Sequence, residues 1–231
     1  MAAAPAEGGA AAEADEFNSG GGMRADVDKL LAQHKDAVAE LKAAVADCLP
    51  TAGAETVANF YDDIFLLRYV LSWEKKGGLA KSSKAVRETV AWRTEHAAVL
   101  AETAATKRPP HKDLAERFQT AGYVGELGGV EPLFCVRTGY CNIKGMMNSL
   151  SLEQIADMGT FDKEIAFQMC DKKTRETRKL VKMITIIDLA QFSLFGGNDS
   201  RFHKALGESS KRAAVVYPQL LGKTVSERYR P

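Results

Sequence analysis

The sequence predicts an α/β protein, with an N-terminal helical layer followed by a mixed β-sheet and covering helices. Three observations lead there. Apolar residues recur at helical spacing from residue 26 to residue 108, two apolar runs rich in β-branched residues follow at 133–136 and 181–189, and helical stretches alternate with those runs. A stripe of period 3.6 gives a helix one buried side, whereas a continuous apolar run of strand length calls for cover on both faces.

Residues 1–25 are read as a disordered leader. Up to residue 22 they are rich in Ala, Gly, Glu and Ser with Phe17 as their lone aromatic, too little apolar surface to offset the entropy of ordering. Glu7, Glu13, Asp15 and Glu16 precede the first basic residue, Arg24, which is unlike a targeting peptide. The helical region, 26–108, opens with Val27, Leu31, Val38, Leu41, Val45 and Cys48 on one helix face, ended by Pro50 and Gly53. A second helix, 57–73, is expected to be deeply buried through Phe60, Ile64, Phe65, Leu67, Val70 and Leu71. A third, 83–100, is amphipathic through Val86, Val90, Trp92 and Val99.

Pro109-Pro110 closes the layer, and the α/β region, 109–231, begins with a short helix over 113–119. Pro132 and Gly139 bound the first strand, Leu133-Phe134-Cys135-Val136. Ser151 and Gln154 form a capping box, with Leu150 and Ile155 as a hydrophobic staple, so a helix starts at Leu152 and runs through Phe161, Ile165 and Met169, with Gly159 as a place to break. The run 181–189 is expected to be a central strand covered on both faces. Gly196-Gly197-Asn198-Asp199 separates it from a helix over 206–216, and the polar stretch from Thr224 supplies at most an edge strand.

Thirty-one Lys and Arg balance thirty Asp and Glu, which excludes a nucleic-acid footprint spread over the whole surface. Cys48, Cys135, Cys141 and Cys170 form no CxxC pair, and His34, His96, His111 and His203 are scattered, so neither a metal nor another cofactor is expected. No GxGxxG, Walker loop, GxSxG, HExxH or EF-hand loop occurs, and no enzyme is expected. Asp188 is read as a turn cap in preference to a catalytic acid. No apolar run is long enough to span a membrane, and the expected location is cytoplasmic, peripheral at membranes. One basic concentration stands out, Lys172, Lys173, Arg175 and Arg178 with Lys179 and Lys182. It reads either as a surface for anionic headgroups or as a solvated helix end, and no interleaved aromatic supports nucleic acid.

Four stretches in fixed order resemble the CRAL-TRIO lipid-binding family. Phe65-Leu66-Leu67-Arg68-Tyr69, followed by Trp92-Arg93, is similar to its N-terminal helical signature. Pro132-Leu133-Phe134-Cys135-Val136 resembles its first strand, Thr185-Ile186-Ile187-Asp188-Leu189 its Asp-Leu strand, and Tyr217-Pro218-Gln219 with Gly222-Lys223 its Tyr-Pro-Glu turn. The resemblance implies a non-enzymatic protein that holds a phospholipid or other hydrophobic ligand and visits a membrane surface. It further implies Tyr123, Phe134 and Thr185 near a headgroup, and Val136, Met183 and Ile186 along an apolar floor. The positions matching the family's phosphoinositide set are Trp73, Glu74 and Gln219, which do not keep it unless Lys75 or Lys76 substitutes. The choline set is partly kept at Tyr123, Phe134, Met183 and Thr185. Since the family continues beyond this turn with a further strand and a gate helix, the sheet is expected to be truncated and its pocket to lack a wall. The rival reading is a protein-interaction remnant that has lost its ligand.

Overall fold

The computed structural model describes residues 23–50, 61–191 and 199–227. The leader up to residue 22, Gly53, the start of the expected helix 57–73, the Gly196-Gly197-Asn198 break and the chain from 228 lie outside them. The first expected helix is two, α1 (Val27–Gln33) and α2 (Lys35–Ala44), parted at His34. Asp26 caps α1 by accepting the Lys29 N–H at 3.0 Å. The predicted stripe holds across the break, since Val27, Val38, Leu41 and Val45 are all buried.

Helix α3 (Asp63–Trp73), capped by Asp62, is buried from Ile64 to Trp73. Its aromatic rings form an i, i+4 ladder, with Tyr61, Phe65, Tyr69 and Trp73 spaced 5.0, 4.9 and 5.8 Å apart. The third expected helix begins earlier than its apolar pattern and is again two, α4 (Gly78–Glu95) and α5 (Ala97–Thr106). The break falls at His96, whose ring stacks back on Trp92 at 4.7 Å. A single short turn, α6 (Lys112–Ala115), leads into the sheet.

Strands β1 (Ala25–Asp26) and β4 (Lys179–Leu180) form a small antiparallel pair, so Ala25, assigned to the leader, is held at the edge of the domain. Arg24 beside it is ion-paired to buried Glu131. The main sheet is mixed, as predicted, in the order β2 (Ala121–Leu127), β3 (Glu131–Arg137), β5 (Met183–Asp188) and β6 (Leu221–Glu227). β2 and β3 are antiparallel, whereas β3, β5 and β6 run parallel. β2 was not expected. Gly128 and Gly129, both at positive φ, make the tight turn that folds it onto β3. β6 is the edge strand that the polar chain end allowed, starting three residues earlier at Leu221.

Between β3 and β5 lie α7 (Ile143–Ser149) and α8 (Leu152–Thr177), and between β5 and β6 lies α9 (Ser200–Val216). Ser151 and Gln154 form the capping box in both directions. Helix α8 does not break at Gly159. A Cβ there would stand 2.9 Å from the Ser209 hydroxyl of α9, so the glycine permits a close helix crossing. One side of α8 places Ala166, Phe167 and Cys170 in a core with Phe134, Met183 and Val181. Another side carries Glu164, which accepts both Arg93 Nη1 and Nη2 at 2.7 and 2.9 Å in a buried bidentate pair. Gln168 donates to the same carboxylate at 2.9 Å.

Arg93→Ala leaves a buried carboxylate uncompensated, and a loss of about 3–5 kcal/mol is expected. The double variant Arg93→Met with Glu164→Leu removes both charges and should lose far less. Urea denaturation midpoints separate the two cases, and equal losses would mean that the pair acts through volume alone.

Candidate functional site

The sheet has two faces, and side chains alternate between them with a period of two. Register places Tyr123 opposite Phe134, and Phe134 opposite Thr185. Val136 and Met183 fall on the same face by alternation. This is the face that α8 covers, because Tyr123, Phe134 and Met183 share a core with Ala166, Phe167 and Cys170. Tyr123 and Phe134 meet edge to face at 5.2 Å, and the Tyr123 hydroxyl donates to the Asp162 carbonyl at 2.9 Å. Burial pushes that phenol well above its ordinary pKa. Met183 is only 5 % exposed.

These positions correct the expected headgroup site. Tyr123 does not stand at an open cavity mouth, because β2 extends the sheet beneath α8 and its hydroxyl is tied to the helix backbone. Five of the six expected lipid contacts, Tyr123, Phe134, Val136, Met183 and Thr185, are thus on the helix-covered side. Ile186 alone points the other way.

That other face holds Leu133 and Cys135 from β3, Ile184 and Ile186 from β5, and Val225 from β6. Register aligns them in two rows, Leu133 with Ile184, and Cys135 with Ile186 and Val225. Leu133, Cys135, Ile186 and Val225 are half-buried and Ile184 is 6 % exposed, and none of the five belongs to an apolar core cluster among the described residues. In the 181–189 run, expected to be covered on both faces, Val181, Lys182, Met183 and Ile184 are buried and the residues from Thr185 to Leu189 are half-buried. Gly122 lies opposite Cys135 and Gly125 opposite Leu133, and a Cβ on either would meet nothing within 4 Å. The outer strand thus leaves this side of the floor bare. A third row closes the apolar strip with charge, Arg137 and Asp188. Arg137 Nε donates to Asp188 Oδ2 at 3.1 Å, and its guanidinium lies 4.1 Å from the Tyr140 ring centre. Asp188 also accepts the Ala190 N–H at 2.8 Å, the turn-capping role expected of it. That bond and Arg137 hold its carboxyl below the usual range.

The basic concentration is divided among carboxylates. Arg175 bonds Asp62 and Asp171 at 2.6 Å each, Lys173 lies 3.3 Å from Glu126, Lys172 lies 3.9 Å from Glu176, and Arg178 pairs with Asp28. Lys182 does not belong to this surface at all. It is 2 % exposed and donates to Gln219 Oε1 at 2.8 Å, while Gln219 donates to Ser72 at 2.9 Å. Burial, and then neighbouring Arg68, lower its ammonium pKa to about 8. Trp73 is buried against Tyr69, and Glu74 lies 3.4 Å from His34, so the positions of the phosphoinositide set do not converge on one open site.

Among the described residues no three of His, Cys, Asp or Glu come together as a metal-binding group, and no helix is long and apolar enough to cross a membrane. No protein-family model matches the chain, and a search of curated proteins returns no match.

If Tyr123 is a core residue, Tyr123→Ala should destabilise the fold by about 3 kcal/mol or more, as large aromatic truncations do. Tyr123→Phe loses one hydrogen bond and should cost about 1 kcal/mol. Chemical denaturation of both variants checks this, and an unaffected Ala variant would return Tyr123 to an open mouth.

Proposed function

We propose that this chain binds a hydrophobic ligand, a phospholipid or other acyl-chain molecule, on the free face of its sheet, without catalysis. The observation that carries the reading is the apolar strip of Leu133, Cys135, Ile184, Ile186 and Val225 on the face opposite α8. A half-covered sheet ordinarily alternates apolar with polar, yet β5 is apolar on both sides. Contiguous apolar surface of that kind marks a place of binding.

The CRAL-TRIO resemblance supports the same class of ligand and supplies its acyl character. It does not supply the headgroup. The aromatic pair that argued for choline lies under α8, so no preference between choline and inositol lipids follows from Tyr123 and Phe134. The four cations once grouped as a membrane surface are each beside a carboxylate, and the proposed site makes no use of them.

Cys135 sits within the strip and reports on it. Incubation with phosphatidylcholine vesicles should slow alkylation of Cys135 by N-ethylmaleimide, and native mass spectrometry should recover bound lipid. Ile186→Glu should abolish both effects while leaving the thermal midpoint nearly unchanged, and Val124→Glu, at a position 62 % exposed beside the Gly125 bulge, should leave both effects intact. Lipid recovery without any protection of Cys135 would move the ligand elsewhere. A chain that carries no lipid and keeps Cys135 equally reactive would sink the proposal.

A further inference from the structure

The chain enters the domain at the border of the free sheet face. The Arg24 N–H donates to the Leu180 carbonyl of β4 at 3.0 Å, and its guanidinium donates to Glu131 at 2.6 Å. Glu131 stands two residues before Leu133 on β3, so alternation puts it on the free face, at the end where the strip begins. Met23 reaches the same border at β6, where a Cβ on Gly222 would stand 3.4 Å from Met23 Cγ. The next residue of β6, Lys223, falls on the free face opposite Ile184, is exposed, and pairs with no carboxylate among the described residues.

Residues 1–22 carry Glu7, Glu13, Asp15 and Glu16 and no Lys or Arg, and Phe17 is their lone aromatic. Two of the four acids, Asp15 and Glu16, adjoin that ring. Phe17 stands six residues before Met23, and the intervening Asn18-Ser19-Gly20-Gly21-Gly22 is a composition that spans about 13 Å as a coil and about 20 Å when extended. From Gly222 to Val225, where the strip ends on β6, is about 10 Å along the strand. The ring can therefore reach every row of the strip.

We propose that Phe17 docks on the free face of its own sheet, over Ile186 and Val225, with Asp15 and Glu16 drawn to Lys223. An apolar ring matches the strip, and the acids beside it complement a cation at the strip's border. Tethering supplies the rest. A short linker holds the ring at an effective concentration of roughly millimolar, so a contact too weak to join separate molecules is closed about half of the time. A hydrophobic ligand then has to displace the leader, which makes the leader a built-in competitor for the face. The contact itself needs no lipid.

N-ethylmaleimide alkylation of the lipid-free full chain, followed at Cys135 and Cys48 by peptide mass spectrometry, tests the docking. Cys135 lies in the strip, while Cys48 packs in the helical layer and serves as the internal reference. Phe17→Ser should speed alkylation of Cys135 about twofold, the factor expected when a contact closed half of the time is lost, and leave Cys48 unchanged. Lys223→Glu should do the same, and Asp15→Lys with Glu16→Lys in that background should restore the slower rate. An equal Cys135 rate in the unaltered chain and in Phe17→Ser overturns the proposal. So does a rate that falls as the protein is concentrated, which would seat a second copy on the face, or acceleration of Cys135 and Cys48 together, which would mean a loosened fold. The lipid reading fails separately, when vesicles leave Cys135 equally reactive.

Discussion

Helix α8 has to be buried on two sides at once, and the rest of the arrangement follows from how it meets that demand. Toward the sheet it offers Ala166, Phe167 and Cys170, an apolar surface that any flat partner can accept. Toward the helical layer it offers Glu164, Asp171 and Thr174, which can be buried only against donors placed to meet them. Those donors arrive from α4 as Arg93, from α3 as Arg68 and from α8 itself as Arg175. Apolar surfaces tolerate sliding. A bidentate guanidinium–carboxylate pair does not, so Arg93 and Glu164 fix where the helical layer stands along α8 and hence over the sheet.

The same division explains what could be read from the chain in advance. The capping box, the burial of α3 and the strands β3 and β5 are written in consecutive residues, where local spacing and apolar runs decide the outcome. β2 was not legible because Gly122 and Gly125 lower its strand propensity, and it forms only because the Gly128-Gly129 turn returns the chain alongside it. The break at His96 was hidden for the opposite reason, since apolar spacing continues across it. The glycine at 159 looked like a local breaker, yet its role is set by Ser209, fifty residues further on, and no local rule reaches that far.

The site shows the limit most clearly. The family resemblance grouped Tyr123, Phe134 and Thr185, and register does set them in one row, but neither resemblance nor alternation says which face a helix will cover. That choice belongs to the crossovers that return α8 and α9 to the sheet, and it put Tyr123, Phe134 and Met183 into a core with α8 and Ile186 on the opposite face. The basic concentration misled in a similar way. Its cations are close in sequence, whereas their partners Asp28, Asp62 and Glu126 come from remote segments, so a run of charge became a set of separate ties.

The dimensions of the free face constrain any ligand that uses it. Two rows of side chains along the strands and three strands across make an apolar floor of roughly 7 by 10 Å. Gly122 and Gly125 leave it open on the β2 side, while Arg137 and Asp188 bound it at one end and Lys223, opposite Ile184, at the other. A floor of that size meets a short stretch of one acyl chain and leaves the chain's outer side uncovered. Burial of one side yields only part of the transfer free energy, so a ligand resting there gains more if its other side is also removed from water. A ligand bound as proposed would therefore use this face as one half of its site, and tight retention would require apolar cover on the ligand's far side as well.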